Sequence, residues 1–199
     1  MRLIIASNNV HKVQEIKEIL GEHFTDIRTL REMGIDIAVE EDGDTFEANA
    51  LKKASEILAV APEADAALSD DSGLEVDALN GAPGVYSARY AGGAGHDDHA
   101  NNEKVLADMA RVPDENRTCR FISAVALVRR GREPIVVRGE VEGQMLRAPR
   151  GTGGFGYDPL FYYPPLGKSF GEMTAEEKNG VSHRKRALMA LCAALEQEK

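Results

Sequence analysis

Asp70 and Asp71 stand side by side in residues 67–84, ALSDDSGLEVDALNGAPG. They follow a short apolar run that predicts a strand over residues 65–68. Two like charges at a strand end repel each other unless a cation lies beside them. A second acidic group, Glu40 and Glu41, closes another apolar run, residues 35–39. If both runs are parallel strands of one sheet, their C-terminal ends share the edge where α/β proteins bind ligands. Carboxylates converging there suit Mg2+, which takes oxygen ligands and bridges phosphates. The competing reading of residues 40–42 is a solvated turn.

Three further segments carry chemistry. Ser7, Asn8, Asn9, Val10, His11 and Lys12 join the first predicted strand to the first predicted helix. Free backbone N–H groups at a helix start, with a lysine close by, form an anion cradle. The alternative there is helix capping beside an exposed lysine. In residues 153–158, GGFGYD, glycines let a flat base approach the backbone and Phe155 offers a stacking face; an irregular core loop has the same composition. Lys178, then His183 and Arg184 after Ser182, place cationic donors at a helix start, a second anion-reading or carbonyl-reading site. A solvated basic face is the other reading, and it fits Lys185 and Arg186. A cradle, a magnesium site, an aromatic platform and a second donor set are together what a magnesium-bound nucleoside triphosphate needs.

Other matches fail on context. Gly151, Gly153 and Gly156 satisfy G-x-G-x-x-G, but the chain runs on into Pro159, Pro164 and Pro165, so no dinucleotide-type helix opens. Gly167-Lys168-Ser169 resembles a P-loop end, yet Tyr162 occupies the position of the first glycine. His96, Asp97, Asp98 and His99 have the types of a metal site, but without an apolar frame they read as a solvated turn.

The elements that must position these groups follow from periodicity. Residues 1–6 read as a buried strand, and Val13, Ile16, Ile19 and Leu20 follow at helical spacing. Residues 35–39 read as the second strand. Asp44 and Glu47 form a capping-box-like pair before a helix bearing Phe46, Ala50, Ala54, Ile57 and Leu58. Residues 80–95 read as a glycine-rich loop, and Val105, Leu106 and Met109 as a helix. Residues 117–129 and 134–145 read as two strands of a hairpin turned at residues 130–132. Leu188, Leu191, Cys192 and Leu195 line a last helix. The order β-α-β-α-β, hairpin, helix predicts an α/β fold with a mixed sheet. The chain has 199 residues, 43% hydrophobic and 29% charged, which suits one domain. A net charge of −9 argues against a non-specific nucleic-acid binder. Cys119 and Cys192 lie in apolar segments and read as reduced core thiols. No apolar run is long enough for a signal peptide or a membrane span, so a cytoplasmic location is expected.

Residues 69–92 (SDDSGLEVDALNGAPGVYSARYAG), 151–161 (GTGGFGYDPLF) and 174–188 (TAEEKNGVSHRKRAL) resemble the signature segments of the inosine/xanthosine triphosphate pyrophosphatase family. The resemblance covers residues 7–188. It implies an elongated central mixed sheet flanked by helices, with two lobes around a nucleotide-binding cleft, in one domain over residues 1–199. It also implies a homodimer and Mg2+-dependent hydrolysis of ITP, dITP or XTP to the monophosphate and pyrophosphate. By motif, residues 7–12 lie along the phosphates and Asp71 is the general base and a metal-linked carboxylate. Glu40 or Glu41 completes the metal site. Ser72, Phe155, Gly156, Tyr157, Asp158, Lys178, His183 and Arg184 hold substrate, and Lys53 reaches toward the phosphates. Two positions depart from the family pattern. Ser7-Asn8-Asn9 stands where Thr-Gly-Asn is frequent, and Asn tolerates the left-handed turn. Ala48 stands where Glu is frequent. A Maf-like pyrophosphatase is the nearest rival, opposed by the base-pocket segments. A purine-nucleotide sensor that does not cleave is the other, opposed by Asp71 beside the cradle.

Overall fold

Strand β1 (Arg2–Ile5) carries three fully buried side chains, Leu3, Ile4 and Ile5, so both of its faces are covered, as in the centre of a parallel sheet. The computed structural model describes residues 1–92 and 97–198, with His11 lacking only an account of its side chain. A seven-stranded sheet runs in the order β2-β1-β3-β4-β5-β6-β7. Parallel pairs join β1 to β2 and to β3; antiparallel pairs join β5 to β6 and β6 to β7. The sheet is therefore mixed and flanked by helices, as the periodicity predicts. The chain divides into two compact units. Unit 1 holds Met1–Asp71, Ser123–Gly139 and Arg184–Lys199; unit 2 holds Ser72–Ile122 and Glu140–His183.

In unit 1, α1 (Val10–Leu20) and α5 (His183–Gln197) bury Ile16 and Leu20, and Leu188 and Leu191, against Leu3, Ile5, Leu68, Val125 and Leu127. Each helix presents an apolar stripe at i, i+3, i+4 spacing, and burying it supplies most of its stability. Helix α2 (Phe46–Val60) is capped by Thr45, whose hydroxyl accepts from the Ala48 amide at 3.1 Å, so the cap is Thr45 and not Asp44.

Two strands differ from the sequence expectation. Residues 35–39 form no strand, and the second strand is β2, Asp26–Thr29. This is a four-residue edge strand in which only Ile27 packs on the core, while Asp26 pairs with Arg2 at 2.7 Å and with Arg28 at 2.6 Å. So short and polar a segment gives no period-2 signal. Strand β3 does not stop at Leu68; it runs from Ala66 to Val76, through both aspartates. What ends is β1, whose last partner on β3 is Leu68.

In unit 2, β4 (Thr118–Arg129) and β5 (Ile135–Met145) supply Cys119, Phe121, Val141 and Met145 to a second core. Phe161 on β6 (Phe161–Tyr163) packs against Phe121 with ring centroids 4.4 Å apart. Phe170, just beyond β7 (Lys168–Ser169), meets Phe161 edge-on at 4.7 Å. Helix α3 (Asp98–Asp108) buries Val105 and lies against the same core. Lys178 belongs to a short helix not expected from sequence, α4 (Ala175–Val181), opened by a capping box of Thr174 and Glu177. Among the described residues no helix is long and apolar enough to cross a membrane.

Candidate functional site

The question of what neutralises the paired aspartates divides between them. Asp70 is buried and fully engaged. Its Oδ1 accepts from the Ser123 hydroxyl at 3.1 Å, and its Oδ2 accepts from Arg184 Nε. Lys12 Nζ lies 3.6 Å from Asp70 Oδ1 and donates to the Asp70 carbonyl at 3.3 Å. Arg184 Nη1 in turn donates to Glu15 Oε2 on α1 at 2.9 Å. Burial pulls the Arg184 guanidinium down, but Asp70 and Glu15 more than offset this and hold it above its ordinary value. For Lys12 burial wins: its ammonium is shifted below the ordinary lysine value although Asp70 pulls the other way.

Asp71 is 9% exposed, and its Oδ2 has no hydrogen-bond partner among the described residues. Its pKa is raised from 3.8 to about 6, first by burial and then by the negative charge of Glu41, against the pull of Lys12, the Asn49 side chain and Lys53. The acidic run reaches this neighbourhood through α2, not from a strand end. Lys53 pairs with Glu41, Lys52 with Asp42 at 2.6 Å, and Asn49 Oδ1 accepts from the Gly43 amide at 2.7 Å. Glu40 is exposed; Glu41 is the carboxylate whose charge Asp71 feels.

The cradle residues fold as a capped turn. The Asn9 amide donates to Ser7 Oγ at 3.2 Å, and the Lys12 amide donates to Asn9 Oδ1 at 3.2 Å, so Asn9 caps α1. Asn8 and Val10 are exposed, and the side chain of His11 lies outside the described residues. The turn caps the helix, but Lys12 is not the exposed lysine of the alternative reading: it is mostly buried and lies beside Asp70.

In unit 2 the platform is a loop with a cation over it. Lys178 Nζ sits 4.4 Å from the centroid of the Phe155 ring and pairs with the Asp158 carboxylate. Asp158 Oδ2 also accepts from the Phe155 amide at 2.8 Å. Gly154, at φ +76°, has that carboxylate where a Cβ would project, so a larger residue would dislodge it. Tyr157 is a core residue: its ring is buried and its hydroxyl donates to the Ser87 carbonyl at 2.7 Å. His183 is buried, its ring stacked on Phe121 at 5.0 Å. Ser72 is half-buried on β3.

Several residues escaped the sequence reading. Glu15 and Asn49 lie within the predicted helices with no role expected of them, though Glu15 lies three residues after Lys12, where an acid shares its face. Residues 97–99 are exposed, as the solvated reading has it, but they open a helix instead of a turn. His96 is outside the described residues, but Asp97 caps α3 by accepting from the Ala100 amide at 2.9 Å, and Asp98 accepts from the Gly156 amide at 2.8 Å. No apolar pattern marks such a contact, because the two segments lie far apart in sequence.

Comparison with known proteins places the whole chain. The family model described as the Ham1 family matches residues 3–194. A protein of Clostridium perfringens named dITP/XTP pyrophosphatase is 54% identical over 96% of this chain and 95% of its own. One of Leuconostoc mesenteroides with the same name is 51% identical over 96% and 94%. The solved structure of the Staphylococcus aureus Ham1 protein superposes with a TM-score of 0.88 at 40% identity, covering all of both chains. With the family model spanning nearly every residue, this chain belongs to the Ham1 family.

Proposed function

We propose that the chain is a nucleoside triphosphate pyrophosphohydrolase that converts dITP, XTP and ITP to the monophosphate and pyrophosphate, clearing non-standard purines from the nucleotide pool. The names of the relatives give the substrate class. The observation that carries the reaction type is Asp71, a buried carboxyl raised to about 6 with one oxygen uncommitted among the described residues. A general base works best with a pKa near the operating pH, and a non-cleaving sensor has no use for one.

Asp71 and Glu41 fit a divalent cation: two carboxylates share a field, and a buried oxygen lacks a donor. Among the described residues no three His, Cys, Asp or Glu side chains gather as a complete ligand set. The two carboxylates suit Mg2+, which is commonly held by one or two carboxylates together with substrate phosphates. When bound, the ion would neutralise charge on the departing pyrophosphate. The chain's own groups do the rest. Lys12, Lys53 and the turn of Ser7, Asn8 and Asn9 bind phosphate oxygens. Asp71 takes a proton from the water that attacks the α-phosphorus, and the bond to the bridging oxygen breaks as pyrophosphate leaves. Phe155 stacks on the base, Lys178 and Asp158 fix its edge, and His183 and Arg184 donate to the 6-oxo group. That oxygen is an acceptor where adenine carries a donor, so adenine is rejected. We further propose a cytoplasmic homodimer.

A panel of inosine, xanthosine, guanosine, adenosine and pyrimidine triphosphates, assayed for pyrophosphate with Mg2+, tests this reading. Turnover confined to inosine and xanthosine compounds supports it, and comparable turnover of ATP refutes the base pocket. In ¹⁸O-labelled water the label belongs in the monophosphate; label in pyrophosphate, or free phosphate as first product, rejects attack at the α-phosphorus.

A further inference from the structure

Gly156 sits between Phe155 and Tyr157 in the left-handed region, φ +60°. Neither of its peptide groups is used within the platform loop; both are taken by one face of α3. Its amide donates to Asp98 Oδ2 at 2.8 Å, and its carbonyl accepts from Asn102 Nδ2 at 2.9 Å. Asp98 and Asn102 are one helical turn apart, so their side chains emerge together. Asn102 Nδ2 also donates to the Asp98 carbonyl at 2.8 Å, which ties one holding group to the other. Helix α3 is itself anchored. Asn101 accepts from the Ala91 amide at 2.8 Å and donates to the Ala88 carbonyl at 3.2 Å, and Val105 is fully buried.

We propose that Asp98 and Asn102 are positioning residues for base recognition, a two-point clip that fixes the Gly156 peptide and thereby the direction of the Phe155 ring. The inference rests on the reading of Phe155 as the base platform. Asp158 holds the loop on the N-terminal side of the ring, through the Phe155 amide, and the clip holds it on the C-terminal side. A ring fixed on both sides presents its face without first being ordered, so the stacking is not spent on arranging the loop.

The test uses the full chain and the variants Asp98→Ala, Asn102→Ala and Asp98→Asn. The asparagine at position 98 keeps an oxygen that can accept from Gly156, so it is the rescue control. Amide hydrogen exchange over residues 155–157 is expected to quicken about tenfold in the alanine variants, the size of one lost hydrogen bond. KM for dITP should rise about tenfold with kcat within about twofold, and Asp98→Asn should hold both readouts at the wild-type level. Unchanged exchange overturns the clip. Faster exchange with unchanged kinetics overturns its positioning role. A fall in kcat as large as the rise in KM reduces it to fold support and overturns it too. Wild-type protein inactive on dITP and XTP defeats the pyrophosphatase reading, and the substrate role of the clip with it, while exchange still decides whether the contact exists. Active wild type with unmoved variants defeats the clip alone.

Discussion

In unit 1 the groups around Asp70 and Asp71 are charged side chains brought from α1, α2, β3 and α5; in unit 2 the Phe155 loop is held largely through its own peptide groups. The first arrangement sets charge and the second sets shape. A buried charge is costly without partners, so the Asp70 carboxylate gathers two donors and a nearby ammonium, while its neighbour Asp71 is left under-neutralised and becomes the group able to exchange a proton. A stacking ring has no charge to balance. Its requirement is a fixed direction, which glycines and amide bonds supply. If this contrast holds, substitutions at Asp70 and Asp71 act on rate, pH profile and stability, and those in the Phe155 loop act on KM and base choice.

The largest effect is expected for Asp71→Asn. It keeps size and removes basicity, so kcat should fall by ~10²–10⁴, read by pyrophosphate release. Its stability should move the other way. A carboxyl raised from 3.8 to about 6 binds its proton more tightly in the folded state, so stability is lost as pH rises from the unfolded value through the folded one. The ionised carboxylate then costs at most about 3 kcal/mol above pH 7. Asp71→Asn should therefore be more stable than wild type at pH 8, with no gain below pH 4, measured by urea unfolding at both pH values. If Asp70→Asn instead abolishes turnover while Asp71→Asn does not, the roles of the pair are reversed.

Asp70→Ala should cost about 3–5 kcal/mol in the same unfolding experiment, because it leaves Arg184 buried with only Glu15 as counter-charge. A loss below 1 kcal/mol would show that the network is not a buried pair in solution. In unit 2, Phe155→Ala should weaken binding by roughly 1–3 kcal/mol, seen as a rise in KM with kcat little changed. An unmoved KM removes Phe155 as the platform.

The contrast also explains what could be read from sequence. Helices α1 and α5, the strands β4 and β5, and the two cores show as periodicity, because burial of a face repeats along one segment. The platform segment is legible because glycines and an aromatic are adjacent in the chain. Strand β2 is not, since only Ile27 of its four residues faces the core. The end of β3 was misplaced because two adjacent aspartates look incompatible with a strand interior. What allows them there is Arg184, 114 residues away, which no local pattern reveals. The Asp98–Gly156 contact spans 58 residues and was hidden for the same reason. Signals set by one segment's geometry survive in the sequence; charge balance assembled across segments does not.

The smallest expected effect separates the two causes of the Asp71 shift. Burial comes first and the charge of Glu41 second. Glu41→Gln removes the charge and leaves the burial. The Asp71 pKa should then fall from about 6 but stay above 3.8, because desolvation still disfavours the carboxylate. Following the Asp71 carboxyl by ¹³C NMR in metal-free protein reads this directly, apart from any change in cation affinity. At saturating Mg2+, the acid limb of kcat/KM should move in the same direction, toward lower pH, because that limb follows the base of the free enzyme. Lys53→Met should do the opposite and raise the pKa, since Lys53 pulls Asp71 down. A Glu41→Gln variant whose Asp71 titrates unchanged would mean that burial alone sets the base. Glu41 would then lose its place beside Asp71 as a carboxylate of the cation site, because two groups that share an ion must first share a field.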